Sequence, residues 1–151
     1  MASIHGPREL VDLIATRHAG VLTTLKSDGR PQLSNVTYAF YPEPGDPAAG
    51  LIRVSITADR AKYKNLLRDP RASLHVTTDD FWAYAVAEAQ ADLSPVATDP
   101  ADATVDELVR LYRHVQGEHP DWDEYRRVMV SDRRVVLRLP VDRVYGMPPR
   151  G

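Results

Sequence analysis

This sequence predicts a mostly β protein, a small antiparallel barrel with helices outside it. Three observations carry that expectation. Six short runs are alternating or β-branched, and Gly, Pro and Asx clusters bound them. Most connections between runs are too short for a crossover helix, so neighbouring strands should pair antiparallel. The helical segments come first, after the third strand and between the fifth and sixth, where they can flank a barrel.

The elements follow in order. Pro7 suits the first position of a helix with Leu10, Leu13 and Ile14 at helical spacing, ending near 18–20. Val21 to Leu25 is the first strand, and Ser27-Asp28-Gly29-Arg30 is a hairpin signal. The second strand runs from Pro31 to Tyr41. In it Leu33 has one parity and Val36, Tyr38 and Phe40 the other, which predicts a bulge or twist near Ser34–Asn35. Residues 42–50 hold Pro42, Pro44, Gly45, Pro47 and Gly50 and predict a loop. Leu51 to Thr57 alternates cleanly as a third, half-buried strand.

Asp59 is the expected N-cap of a short helix over 60–67, which Asp69-Pro70 ends. Residues 72–78 and 81–93 are the fourth and fifth strands. The fifth puts Trp82, Tyr84 and Val86 on one side and Ala83, Ala85, Ala87, Ala89 and Ala91 on the other. That small-residue face would permit close approach of a second subunit or of a helix. Thr104-Val105-Asp106-Glu107 has capping-box form, and Gly117 suits the end of the helix it starts. A second helix should begin at Asp121, with Trp122, Tyr125 and Met129 as its packing face. Arg133 to Leu139 is the sixth strand, and Val144-Tyr145 extends or follows it. Neither a repeat nor a domain boundary is visible, so 1–151 reads as a single domain.

Composition narrows the chemistry. With 43% hydrophobic and 26% charged residues, the chain is that of a folded globular protein. The absence of cysteine excludes a disulfide framework, a thiolate metal site and a cysteine nucleophile. A net charge of −2 argues against a nucleic-acid binder. No run approaches the roughly 18–20 apolar residues of a membrane span, and the N-terminus does not resemble a signal peptide, so the expectation is a cytoplasmic protein without a membrane partner. The charge is uneven, however: residues 1–75 hold 10 basic and 7 acidic residues, residues 76–151 hold 9 and 14. An anion would therefore find its host in the first half.

Two segments could carry a ligand. In Val54-Ser55-Ile56-Thr57-Ala58-Asp59-Arg60-Ala61-Lys62 a strand delivers the chain into a helix N-terminus whose first turn holds two cations. Cations oppose the positive end of the helix dipole. Either an anion such as phosphate neutralises them, or both side chains extend into water at a cost of a few tenths of a kcal/mol. In the second segment, Gln32, Ser34 and Asn35 offer neutral hydrogen-bonding groups that could meet the edge of a polar ring.

Together these stretches resemble a known family. GVLTTLKSDGRPQLSNVTYAFY, VSITADRAKYKNLLRDPRASLHV and FWAYAVAEAQADL are similar to the flavin/deazaflavin-binding split β-barrel superfamily that includes pyridoxamine 5′-phosphate oxidase. The segment from Val105 to Pro149 is similar to its actinobacterial branch, with which the 16 Arg and 3 Lys agree. The resemblance implies a six-stranded split barrel that forms a homodimer with cofactor sites between subunits. It implies an oxidoreductase that transfers a hydride between reduced coenzyme F-420, an 8-hydroxy-5-deazaflavin, and a small organic substrate. Arg60 and Lys62 would hold the cofactor phosphate. Val54, Ser55 and Ile56 would run along the ring with their backbone groups, with Gln32, Ser34 and Asn35 beside it and Trp82 reaching the pocket or its tail-binding region. Two alternatives share the motifs: an FMN-dependent enzyme like pyridoxamine-phosphate oxidase, and a protein that binds F-420 without turnover. No catalytic residue or proton donor is marked.

Other chemistry is weaker. His114 and His119 are five apart rather than four, and Gly117-Glu118-His119-Pro120 reads as a loop, which disfavours a zinc site. Ser34 and Ser73 lack a nucleophile elbow, which disfavours a hydrolase.

Overall fold

Alternation along the strands closes into a cylinder. The computed structural model describes residues 8–150, and side chains for all of these but 46–49. In chain order the elements are α1 (Arg8–Ala15), β1 (Ala19–Leu25), β2 (Pro31–Glu43), β3 (Asp46–Thr57), α2 (Ala61–Arg68), β4 (Arg71–Thr77), β5 (Tyr84–Gln90), β6 (Asp92–Leu93), α3 (Ala103–Gln116), α4 (Trp122–Ser131) and β7 (Arg134–Met147). Neighbours run β3-β2-β1-β4-β5-β7, and β3 pairs back onto β7. Six antiparallel strands thus close into a barrel as β3 returns to β7, and β6 is a two-residue addition to β7.

Inward-facing Leu22, Tyr38, Ile52, Val54, Ile56, Leu74, Leu137 and Leu139 fill the barrel. The amphipathic α1 packs Leu10, Leu13 and Ile14 into the same core. Tyr38 is fully buried and its hydroxyl donates to the Ile14 carbonyl at 2.6 Å, tying that helix to β2. A second cluster packs α3 and α4 on the outside of β7, where Val105, Leu108, Tyr125 and Met129 meet Val136. The expected Trp122–Tyr125–Met129 packing face is therefore present. Among the described residues, no helix is long and apolar enough to cross a membrane.

Several expectations are corrected. The strand irregularity is not at Ser34–Asn35: β2 pairs with β1 without a break from Pro31 to Thr37, and the register shifts instead between Pro42 and Glu43. Leu33 breaks the pattern because it points outward and is exposed. The predicted 42–50 loop is a hairpin. β2 continues to Glu43, which pairs with Asp46 across a turn of Pro44 and Gly45 at φ 82°. Pro at the first turn position and Gly at the second supply the backbone that turn needs, and strand pairing overrides composition around it. Gly50 is required by packing, because a Cβ there would lie 2.2 Å from the Phe40 ring.

The fifth strand is shorter than 81–93. Phe81 adopts φ 69° in a turn that Thr78 and Asp80 close with hydrogen bonds to one another and to the Trp82 and Ala83 amides. The chain then bends after Gln90, where the Ala91 amide donates to Pro70 O, and β6 resumes on β7. Its small face lies inside: Ala85, Ala87 and Ala89 belong to the barrel core rather than to a subunit contact. Pro7, the expected first helical residue, lies outside the described residues.

Two caps also move. Asp59 does not cap α2, because Arg60 N donates to Thr57 O and closes a turn around it, leaving Arg60 at the N-cap position without a capping side chain. The α3 capping box is replaced by Asp102, whose carboxylate accepts from the Val105 amide at 2.8 Å and also from Thr98 and Asp99. Asp102→Ala is expected to cost about 1 kcal/mol of stability in urea unfolding, the usual worth of such a cap. Glu107, freed from that role, turns toward the barrel, where Arg53 donates to it at 2.8 Å and Arg138 at 2.6 Å.

Candidate functional site

A division of pairing along two strands creates the site. β2 uses residues 31–37 on β1 and residues 38–43 on β3. β3 pairs with β2 only as far as Val54, and Ser55–Thr57 pair with β7 alone. Past Tyr38 and Val54 the two strands therefore part, and the edges they turn toward each other carry no ladder. A cleft of about 590 Å³ opens there. Its strand wall is Asn35, Val36 and Thr37 of β2 with Ser55, Ile56 and Thr57 of β3. The helix wall is Leu111, Tyr112, Val115 and Gln116 of α3 with Tyr125 and Met129 of α4.

Three cations, Arg60, Lys62 and Arg134, complete the lining, and no carboxylate is among the lining residues. Burial pushes the Lys62 ammonium down from its ordinary value, and the charges of Arg60 and Arg134 push it further. The N-terminus of α2 adds amides that no side chain caps. The arrangement can hold an anion at the cations, present unpaired strand edges to a polar planar group, and shield an apolar ligand face against the helices. Tyr125 is kept out of polar chemistry: its hydroxyl donates to Leu108 O, and burial pushes it up to about 12.

The cleft gathers five of the residues singled out in the sequence: Asn35, Ser55, Ile56, Arg60 and Lys62. Val54 adjoins it but its side chain is fully buried in the core, so only its backbone can face a ligand. Gln32 and Ser34 lie further along β2, half-buried, opposite Thr24 and Leu22. The Ser34 hydroxyl is buried without a hydrogen-bond partner among the described residues. Trp82 stands apart on the β4–β5 turn, 71% exposed, near Arg150. Sequence reasoning missed Thr37, Thr57, Arg134 and the helix wall. Leu111, Tyr112 and Val115 are one helical stripe, legible as such, but nothing local says that the stripe faces β2. Arg134 joins the site only because β7 pairs with β3 in the register Thr57↔Arg134.

A closed antiparallel barrel whose strands part around a cationic cleft defines a split-barrel protein. The most informative comparisons agree. A family model described as pyridoxamine 5′-phosphate oxidase matches residues 7–147. The chain belongs to the pyridoxamine 5′-phosphate oxidase family. Among solved structures it is similar to an F-420 reductase at 22% identity and TM-score 0.68, covering 93% of this chain and 98% of that one. A conserved hypothetical protein of Mycobacterium tuberculosis has 22% identity and TM-score 0.67, over 97% and 86% of the two chains. General stress protein 26 of Bacillus anthracis has 17% identity and TM-score 0.55, over 93% of each. At these identities the likeness is one of fold.

Proposed function

We propose that the protein is an oxidoreductase that binds a phosphate-bearing, flavin-like cofactor in this cleft, and that the cofactor is coenzyme F-420. One observation carries the reading: three cations line a cleft that has no carboxylate among its described lining residues, beside strand edges that no ladder satisfies. The residues fit such a group. Arg60, Lys62 and the free amides of α2 suit a phosphate. Backbone groups of Val54, Ser55 and Ile56 suit the polar edge of a ring, with Asn35 and the more distant Gln32 and Ser34 beside it. When bound, the cofactor supplies hydride transfer, and the chain contributes position, charge and exclusion of water. The resemblance of the segment from Val105 to Pro149 to the F-420-using actinobacterial branch favours the deazaflavin over FMN, and one structural neighbour is an F-420 reductase.

The same reading includes a second copy of the chain. Leu33, Tyr84, Tyr145 and Met147 share the outer face of the sheet, and Phe81 and Trp82 project at its end. These side chains are 36–78% exposed, and a homodimer through this face would cover them. Asn35 lies on that face and also lines the cleft, so a homodimer through it would bring the partner's surface to the site, which is how Trp82 would reach a cofactor. A monomer in sedimentation at micromolar concentration would remove this part of the proposal.

Titrating purified apoprotein with F-420 and with FMN tests the cofactor. Saturable F-420 binding is expected, and reduced F-420 should then be oxidised by a small organic acceptor from a panel of quinones, tetrapyrroles and unsaturated carbonyl compounds. Tight FMN binding without F-420 binding would move the protein to the flavin alternative, F-420 binding without turnover of any acceptor would make it a carrier, and binding of neither ligand would overturn the reading.

A further inference from the structure

We propose that Arg134 is a third anion-binding cation of the cleft, held in reserve on the strand wall and turned onto the ligand's phosphate when that group enters. This rests on reading the cleft as a phosphate-cofactor site, and it assigns a task to a residue outside the recognised motifs.

Comparison with the other arginines carries the argument. The side chain of Arg134 is 30% exposed, as those of Arg53 (25%), Arg126 (28%) and Arg138 (27%) nearly are. Each of those three meets a carboxylate at 2.9 Å or less. Arg134 does not. Its Nε lies 3.7 Å from the Asp132 carboxylate, beyond hydrogen-bond distance, and is buried without a hydrogen-bond partner among the described residues. Among the described residues its one hydrogen bond, from Nη1 to the Ser55 hydroxyl, is long at 3.4 Å. Of the five donors of its guanidinium, the one on Nε is buried and unmet among the described residues, and leaving a buried donor unmet is costly.

The backbone aims this side chain. Arg133 adopts φ 55°, a conformation that L residues rarely take, at the end of α4. Its amide donates to Val130 O and its carbonyl accepts from the Ala58 amide, both at 3.0 Å. The turn is thereby stitched to the segment that leads from β3 into α2, so Arg134 and the Arg60–Lys62 pair enter one cleft from two elements. An arriving phosphate would accept bidentately from this fork of N–H groups, and Ser55 Oγ would be released to bond elsewhere in the cleft.

The experiment compares wild-type protein, Arg134→Gln and Arg134→Lys in titrations with FMN and with riboflavin, and with F-420. In Arg134→Gln, affinity for FMN and F-420 should fall at least tenfold while affinity for riboflavin, which lacks the phosphate, stays at the wild-type value. Arg134→Lys keeps the charge and the fold but not the fork, and should recover only part of the loss. Wild-type affinity for the phosphorylated ligands in Arg134→Gln overturns the assignment, and so does an equal loss of riboflavin and FMN, which would mean a structural role. If the wild-type protein itself binds none of the three, the cofactor reading falls and this proposal with it.

Discussion

Replacing Glu107 by alanine should cost about 3 kcal/mol of folding stability and lower the melting temperature by roughly 6–12 °C. Glu107 is buried, and it accepts from Arg53 Nε at 2.8 Å and from Arg138 Nε and Nη2 at 3.0 and 2.6 Å. Arg138 also meets Asp92 at 3.0 Å, so one carboxylate on α3 ties together β3, β7 and the residue that opens β6. Its removal leaves two guanidinium groups with lost partners. Both are about a quarter exposed, which keeps the loss at the lower end of the range for fully buried pairs. Burial alone would raise the Glu107 carboxyl, but the hydrogen bonds and charges of Arg138 and Arg53 outweigh it and leave it below the ordinary value. A carboxyl depressed in the folded state stabilises the protein above the unfolded-state value of about 4.3, and that stability is lost as pH falls through the depressed value. Urea unfolding between pH 3 and 8 should therefore show the wild type converging on Glu107→Gln at the acid end. A gap that stays constant across that range would show that ionisation of the Glu107 carboxyl adds nothing to stability.

Replacing Lys62 by alanine should weaken binding of a phosphate-bearing cofactor by about 1.5–3 kcal/mol, roughly 10- to 150-fold in Kd. The free protein should be no less stable. Lys62 is depressed by burial and by two neighbouring cations, so its charged form is disfavoured by folding. That penalty is fully present below the depressed value and vanishes as pH rises through it toward about 10.4. An anion reverses the sign: bound phosphate favours the ammonium, so affinity should fall as pH rises through the free protein's Lys62 value. Equilibrium titrations at several pH values, with thermal melts of the ligand-free variant, check both halves. Unchanged affinity in Lys62→Ala would remove Lys62 from the phosphate site and leave the fold untouched.

The legible part of this protein is what local rules control. β3 was readable because Ile52, Val54 and Ile56 alternate with Arg53, Ser55 and Thr57, and a half-buried strand needs that period. Asp121 and Gly117 marked real helix ends because their cap chemistry is local. Where a local signal had a rival one or two residues away, it failed. Asp102 capped α3 in place of Thr104, and the turn from Thr57 to Arg60 displaced Asp59. Composition also misled at 42–50, where a two-residue turn suffices and the flanking residues take the pairing open to them.

The sequence by itself determined the strand and helix inventory, the two motif cations and, through its motifs, the family, since each depends on neighbours in the chain. Only the tertiary structure decided that β2 changes partners at Tyr38, that β3 beyond Val54 pairs with β7 alone, and that Arg134 and one stripe of α3 close the cleft so formed. The physical reason is that strand pairing and helix docking are set by which apolar faces can be buried together across the whole barrel. Residues far apart in the chain carry no local record of that choice.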